Sequence, residues 1–138
     1  MPRYLADTSA WNRSQATLEV SERWAALVEL DEIALCDPVE LELLYSSRGA
    51  ADYRARREEL GGFPRLPING AASAMALSTQ EALASRSQHR GPTPVDLLVA
   101  AIARRSKLCV LHYDRHFDAI SRATGQPTEW VARRGSLD

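Results

Sequence analysis

The chain has 138 residues, 45% hydrophobic and 25% charged, with a formal net charge of −1. That is one domain's worth of chain, and its composition is too ordinary for disorder, a collagen-like repeat or a coiled coil. Its longest unbroken apolar run, Leu97 to Ala103, falls far short of the ~20 residues of a membrane helix, and a near-neutral chain does not coat nucleic acid through bulk charge.

Met1 to Asp7 lacks the apolar segment of a secretory leader; Tyr4-Leu5-Ala6 instead reads as a short strand meeting a helix at Asp7-Thr8-Ser9. Leu18, Trp24, Leu27, Val28 and Leu30 recur at helical spacing and predict a helix over 17–30. Ile33-Ala34-Leu35-Cys36 is a buried strand, after which Asp37 as cap and Pro38 at the first helical position open a helix reaching about Arg48. A charged helix follows over 50–60, stopped by Gly61-Gly62. Phe63 to Ile68 reads as extended, and Asn69 caps an Ala-rich helix over 71–88. Thr93-Pro94-Val95-Asp96 has the form of a capping box ahead of an apolar helix over 94–106. Leu108 to Tyr113 is the clearest strand, followed by a helix to about Ala123, a stop at Gly125 and Pro127, and a last short strand at Glu129-Trp130-Val131. Cys36 and Cys109, without disulfide or metal spacing, read as buried reduced thiols of a cytosolic protein.

Strands alternating with helices predict a mostly parallel sheet with helices on both faces, as a single domain over 1–138. In such sheets the site lies outside the carboxyl ends of the strands. Asp7 and Asp114 each end a strand there, Asp96 sits in the first turn of its helix, and Glu42 lies in the helix after the second strand. Asp118 follows Asp114 by one helical turn. Taken singly each acid has an ordinary explanation as a cap or a solvated charge. Together they would repel one another, and a divalent cation removes that penalty. Oxygen-only ligands favour Mg²⁺ or Mn²⁺, which activates water and stabilises charge on a phosphoryl oxygen.

Four segments in order, Asp7-Thr8-Ser9-Ala10-Trp11, Glu42-Leu43-Leu44-Tyr45, Pro94-Val95-Asp96 with the apolar run behind it, and His112-Tyr113-Asp114-Arg115-His116-Phe117-Asp118, resemble the successive motifs of a PIN domain. The resemblance spans essentially the whole chain and is nearest to the VapC-type toxins of bacterial toxin–antitoxin pairs. It implies a PIN-like fold and a Mg²⁺- or Mn²⁺-dependent endoribonuclease, cytoplasmic, neutralised by a VapB-like antitoxin and usually homodimeric. By motif match, Asp7, Glu42, Asp96 and Asp114 are the acidic quartet, with Asp118 as a supporting acid. Asp7 and Asp96 are the best metal ligands, and Glu42, Asp114 and Asp118 complete the shell directly or through water. Thr8 and Ser9 hydrogen-bond the site, Thr8 ahead of Ser9. In-line attack by an activated water would leave a 5′-phosphate and a 3′-hydroxyl. Glu40 and Glu42 stand about 200° apart on a helix, so only one faces the site; the motif selects Glu42. His116 stands where many relatives carry an acidic or polar residue.

Other readings fit less well. His112-x-Asp114-x-His116 suggests a zinc or iron site but lacks a third imidazole, His89 lying in a polar loop. A different divalent-metal phosphoesterase, and a non-catalytic PIN-like protein that binds antitoxin or RNA, remain as rivals. Of the 17 basic residues only Lys107 is not Arg, a bias that fits a GC-rich genome at least as well as phosphate binding. Arg13, close after the first strand, is the arginine best placed to reach a scissile phosphate. The clusters Arg54, Arg56 and Arg57; Arg86 and Arg90; and Arg104, Arg105 and Lys107 read mainly as solvated faces, and Trp11 and Trp24 as core or partner-facing residues.

Overall fold

The computed structural model describes residues 1–138. Eleven elements follow in chain order: β1 (Tyr4–Ala6), α1 (Thr8–Arg13), α2 (Leu18–Glu29), β2 (Ile33–Ala34), α3 (Asp37–Tyr45), α4 (Ala50–Leu60), α5 (Gly70–Ala84), α6 (Pro94–Arg105), β3 (Cys109–His112), α7 (His116–Thr124) and β4 (Thr128–Trp130). The four strands form one parallel sheet in the order β2-β1-β3-β4.

Side chains alternate across so short a sheet, and each face buries its own set. Leu5, Ala34 and Val110 point into the larger core with residues of α3, α5, α6 and α7. Tyr4, Ala6, Ile33 and Leu111 point the other way, onto Val20, Trp24 and Leu27 of α2. Helices therefore cover both faces, as expected for a parallel sheet. Trp11 of α1 joins the two cores at the edge of β1, meeting Trp24 and Phe63 edge-on at 4.9 Å each.

Local chemistry accounts for the boundaries. Asn69 and Thr17 accept amide hydrogen bonds at the starts of α5 and α2, and the Thr93–Asp96 capping box opens α6. Four expectations are corrected. Asp7-Thr8-Ser9 opens a separate six-residue helix, α1, ahead of α2. The cap of α3 is Cys36, and Asp37 is already helical; its carboxylate instead meets Arg65 Nη1 at 2.6 Å. The extended segment 63–68 contributes only a single bridge to the sheet, Leu35 with Arg65, because Pro64 and Pro67 have no N–H to extend a ladder. Finally, α5 stops at Ala84, where Ser87 takes a left-handed conformation (φ 57°) and the Gln88 amide returns to the Leu83 carbonyl at 2.8 Å. Asp31 and Lys107 close α2 and α6 in the same left-handed way.

No helix is long and apolar enough to cross a membrane. Cys36 is buried, Cys109 half-buried, and burial pushes both thiols up to about 11, so neither is a nucleophile at neutral pH.

Candidate active site

The parallel register brings the carboxyl ends of β1 and β3 side by side, with Ala6 opposite Leu111. Asp7 is the next residue after β1 and the N-cap of α1, a position at which a carboxylate commonly accepts from a first-turn amide. Oδ2 accepts from the Ser9 amide at 3.0 Å and from Ser9 Oγ at 2.6 Å. Ser9 Oγ in turn accepts the Tyr113 amide at 2.9 Å. One serine thus ties Asp7 to the end of β3. The motif favours Thr8 over Ser9, yet an N-cap side chain commonly accepts from an amide two or three residues ahead, a local rule that points to Ser9.

The remaining acids gather around this junction. Asp96 Oδ2 accepts the Thr93 amide at 2.8 Å within its capping box. Asp114 Oδ1 accepts the His116 amide at 2.9 Å. Glu42 Oε1 accepts from Thr8 Oγ1 at 2.6 Å, across from α1 to α3. Each carboxylate is thereby oriented through one oxygen, while no protein hydrogen bond reaches the other. No arginine or lysine pairs with any of the four.

Their charges act on one another. Burial pushes the Asp7 carboxyl up to about 6 against the pull of the Ser9 hydrogen bonds, and repulsion from Asp96 and Glu42 adds to the rise. Asp96 is raised as well, first by burial and then by Asp114, with the Thr93 amide opposing. The structure thus brings Asp7, Glu42, Asp96 and Asp114 into one field. Glu40 lies outside it. Its carboxylate is buried against Arg65, with Arg57 at 3.8 Å, so of the two glutamates it is Glu42 that turns toward Asp7.

Three further residues near this edge have partners of their own. Asp118 has both oxygens engaged, by Trp130 Nε1 at 3.2 Å and by Arg134 Nη1 at 3.5 Å. Arg13 lies over the Tyr113 ring at 5.1 Å. His112 is fully buried between Phe117 and Trp130, its Nδ1 accepts the Asp114 amide at 3.1 Å, and burial lowers it to about 4. A neutral core histidine whose Nδ1 is already an acceptor does not belong to an imidazole metal site. His116 packs against Gly91, where an added Cβ would come within 3.1 Å of its Nδ1.

Beside the acids an open groove of about 750 Å³ runs between α3 and α6, lined by Thr8, Glu42, Leu41, Tyr45, Val95 and Leu98. Leu41 and Tyr45 are largely exposed along it.

The PIN domain family model matches residues 4–123. The chain belongs to the PIN-domain family. Within it, the ribonuclease VapC18 of Mycobacterium tuberculosis is 42% identical over 136 residues, covering 97% of this chain and 98% of the relative. VapC51 of the same organism, also called a ribonuclease, is 35% identical over 99% of this chain and 98% of its own. The DNA-bound VapBC of Salmonella typhimurium has the same fold, with a TM-score of 0.76 at 15% identity over 96% of this chain and 100% of that one. VapBC-5 of M. tuberculosis superposes with a TM-score of 0.62 at 22% identity over 94% and 98%. This PIN domain is thus a sheet whose carboxyl edge holds four carboxylates without a basic partner. No group of three or more His, Cys, Asp or Glu side chains is already drawn together tightly enough to enclose an ion.

Proposed function

We propose that residues 1–138 form a single PIN domain acting as a Mg²⁺- or Mn²⁺-dependent endoribonuclease toxin, with Asp7, Glu42, Asp96 and Asp114 as its acidic site. The observation that carries this reading is the set of four carboxylates, two of them buried and raised, each oriented by one oxygen and unpaired at the other. Burying uncompensated carboxylates costs stability, and a fold that keeps them together does so for chemistry. The kinship with VapC ribonucleases over nearly the whole chain supplies the substrate class.

The donor set fits a hard divalent cation: oxygen ligands only, with Asp7 and Asp96 raised first by burial and then by repulsion from neighbouring acids, which a cation would relieve. Asp7 and Asp96 would hold it, joined by Glu42 and Asp114 directly or through water; Asp118, engaged by Trp130 and Arg134, supports from behind. Such an ion supplies charge neutralisation at the phosphoryl oxygens and a more acidic water. The chain's own residues do the positioning. Ser9 fixes Asp7 Oδ2, Thr8 fixes Glu42 Oε1 beside the groove, and Thr93 fixes Asp96 Oδ2. Arg13, over the ring of the residue that precedes Asp114, would meet a phosphate. The exposed apolar surface of Leu41 and Tyr45 offers a protein-binding face for a VapB-like antitoxin or a second copy in a homodimer. The reading places the protein in the cytoplasm, where its RNA is.

The test is cleavage of the host's total RNA by antitoxin-free protein with Mn²⁺, with EDTA and as Asp96→Asn, with the new 5′ ends mapped by sequencing. Asparagine keeps an oxygen for the Thr93 amide and removes only the charge. Discrete metal-dependent cuts that vanish in the variant support the nuclease. Equal cutting by a folded variant sinks the assignment of the site, and no cutting by either moves the protein to a binding role.

A further inference from the structure

Four carboxylates at one edge of a chain with net charge −1 repel an RNA backbone, so a nuclease built this way needs local positive charge close to the acids. Most arginines that touch other groups do not supply it. Arg56 and Arg104 turn their guanidinium groups to backbone carbonyls, Arg65 is consumed by Asp37 and Glu40, and Arg23 by Glu129 and the carbonyls of Trp130 and Val131. Three are held over rings instead: Arg3 over Tyr4 at 5.0 Å, at the amino end of β1 away from the acids, and two at the carboxyl edge. Arg13 lies over the Tyr113 ring at 5.1 Å, and Arg134 over the Trp130 ring at 5.7 Å. The two rings meet edge-to-face, 5.3 Å apart at 87°.

This stack is anchored to the acidic edge at several points. Tyr113 immediately precedes Asp114, and its amide bonds Ser9 Oγ, the hydroxyl that holds Asp7. Its phenol accepts the Leu137 amide at 2.9 Å and donates to Asp138 Oδ1 at 3.1 Å, so the C-terminal segment is stapled across it. Trp130 Nε1 donates to Asp118, which also meets Arg134. Both arginines remain exposed; Arg13 has no carboxylate partner, and Arg134 meets Asp118 through a single contact at 3.5 Å, so both keep guanidinium N–H groups free for phosphate. Tyr113 and Trp130 belong to the core on the α2 face of the sheet, whereas the apolar groove lies on the α3–α6 face.

We infer that Arg13 and Arg134, pre-positioned on the Tyr113–Trp130 pair, form a cationic ledge that binds the RNA backbone next to the acids, on the opposite face of the sheet from the apolar groove. The inference rests on the ribonuclease reading and adds to it residue 134, beyond the 4–123 span of the family match. The ledge is a binding element: it contributes to substrate capture and leaves the chemical step to the carboxylates.

Binding of a fluorescein-labelled, mixed-sequence single-stranded RNA is measured by anisotropy in EDTA across a salt series, for wild type, Arg13→Ala, Arg134→Ala, the double variant and Arg122→Ala. Arg122 is an exposed arginine at the far end of α7 and controls for loss of one charge. Each ledge substitution is expected to lower the slope of log K against log salt by about 0.7, and the double variant to bind roughly tenfold more weakly at low salt. In cleavage assays the same variants raise KM and leave kcat close to wild type. An unchanged slope in the double variant, or an equal loss in Arg122→Ala, overturns the ledge. If wild type cuts RNA while the double variant keeps its affinity, only the ledge falls; if wild type neither binds nor cuts RNA, both readings fall together.

Discussion

Glu40 and Glu42 are two residues apart on α3 and live in different electrostatic regions. Glu40 is buried, and Arg65 and Arg57 neutralise it. The same pairing holds at Asp52 with Arg48 and Arg56, and at Glu129 with Arg23. At the carboxyl edge of the sheet the pairing is suspended. Asp7 and Asp96 are as buried as Glu40, yet they meet hydroxyls, amides and one another. The difference separates two states of a carboxylate: one is an internal strut whose charge is cancelled, the other a charge that no basic group of the chain cancels.

The sharpest way to break that comparison is to neutralise one charge in each region and read cleavage. Asp96→Asn and Asp7→Asn should each lower RNA cleavage on the order of 10²-fold or more, because under the proposed function the charge they remove is the one the reaction uses. Glu40→Gln should leave cleavage within a few-fold of wild type. Equal losses from Glu40→Gln and Asp96→Asn would erase the distinction.

Stability should move in the opposite sense. Asp7 is raised from 3.8 to about 6 on folding, so the folded state holds its proton more tightly. Its favourable contribution is therefore fully present below pH 3.8 and is lost as pH rises through about 6. At pH 8 in EDTA, Asp7→Asn should be more stable than wild type by about 3 kcal/mol, a gap that closes by about pH 4, measured by urea unfolding. His112 works against this. Its folded value is depressed from 6.5 to about 4, so its contribution is present above pH 6.5 and is lost as pH falls through about 4. The two oppose each other in wild type, so Asp7→Asn should lose more stability than wild type as pH falls from 6 to 4. Mn²⁺ should stabilise wild type at pH 8 and do much less for Asp7→Asn.

Removing a strut should cost stability instead. Arg65→Ala leaves Glu40 buried with only Arg57 at 3.8 Å. The loss should be about 2 kcal/mol, below the ~3–5 of a sealed pair because Arg65 is itself 39% exposed. Adding Glu40→Leu to Arg65→Ala should recover most of it, since the cost is an uncompensated charge and not a missing contact.

The sequence was most legible where chemistry is local. Asn69, Thr93 with Asp96, and Gly125 mark helix ends that the structure keeps, and Asp7, Glu42, Asp96 and Asp114 reach one edge because strand–helix alternation dictates a parallel sheet. It was least legible where a residue stands in for the usual one. Asp31, Ser87 and Lys107 adopt the left-handed conformation in which glycine is expected, so the end of α5 reads too long. The pairing of Glu40 with Arg65 is invisible in sequence, because it depends on how an irregular segment held by Pro64 and Pro67 lies against β2. Ser9 and Tyr113 escaped for the same reason: 104 residues separate them, and only the register of β1 on β3 brings them together.

The smallest expected effect tests how the unpaired acids are aimed. Glu42 is exposed, and the Thr8 hydroxyl is its one protein hydrogen-bond donor, at 2.6 Å. A lone exposed hydrogen bond contributes little to folding, so Thr8→Val should change stability by no more than about 0.5 kcal/mol. Its effect on cleavage depends on whether Glu42 is placed by α3 or by Thr8. An exposed glutamate has three free side-chain torsions, and α3 fixes none of them beyond the backbone; the Thr8 bond selects the rotamer that faces Asp7. Thr8→Val should therefore lower kcat roughly threefold to tenfold, an entropy cost of about 1 kcal/mol to re-select that rotamer, with KM little changed. Thr8→Ser should restore it. If Thr8→Val cleaves like wild type, α3 alone positions Glu42, and Thr8 belongs with the groove rather than with the acids.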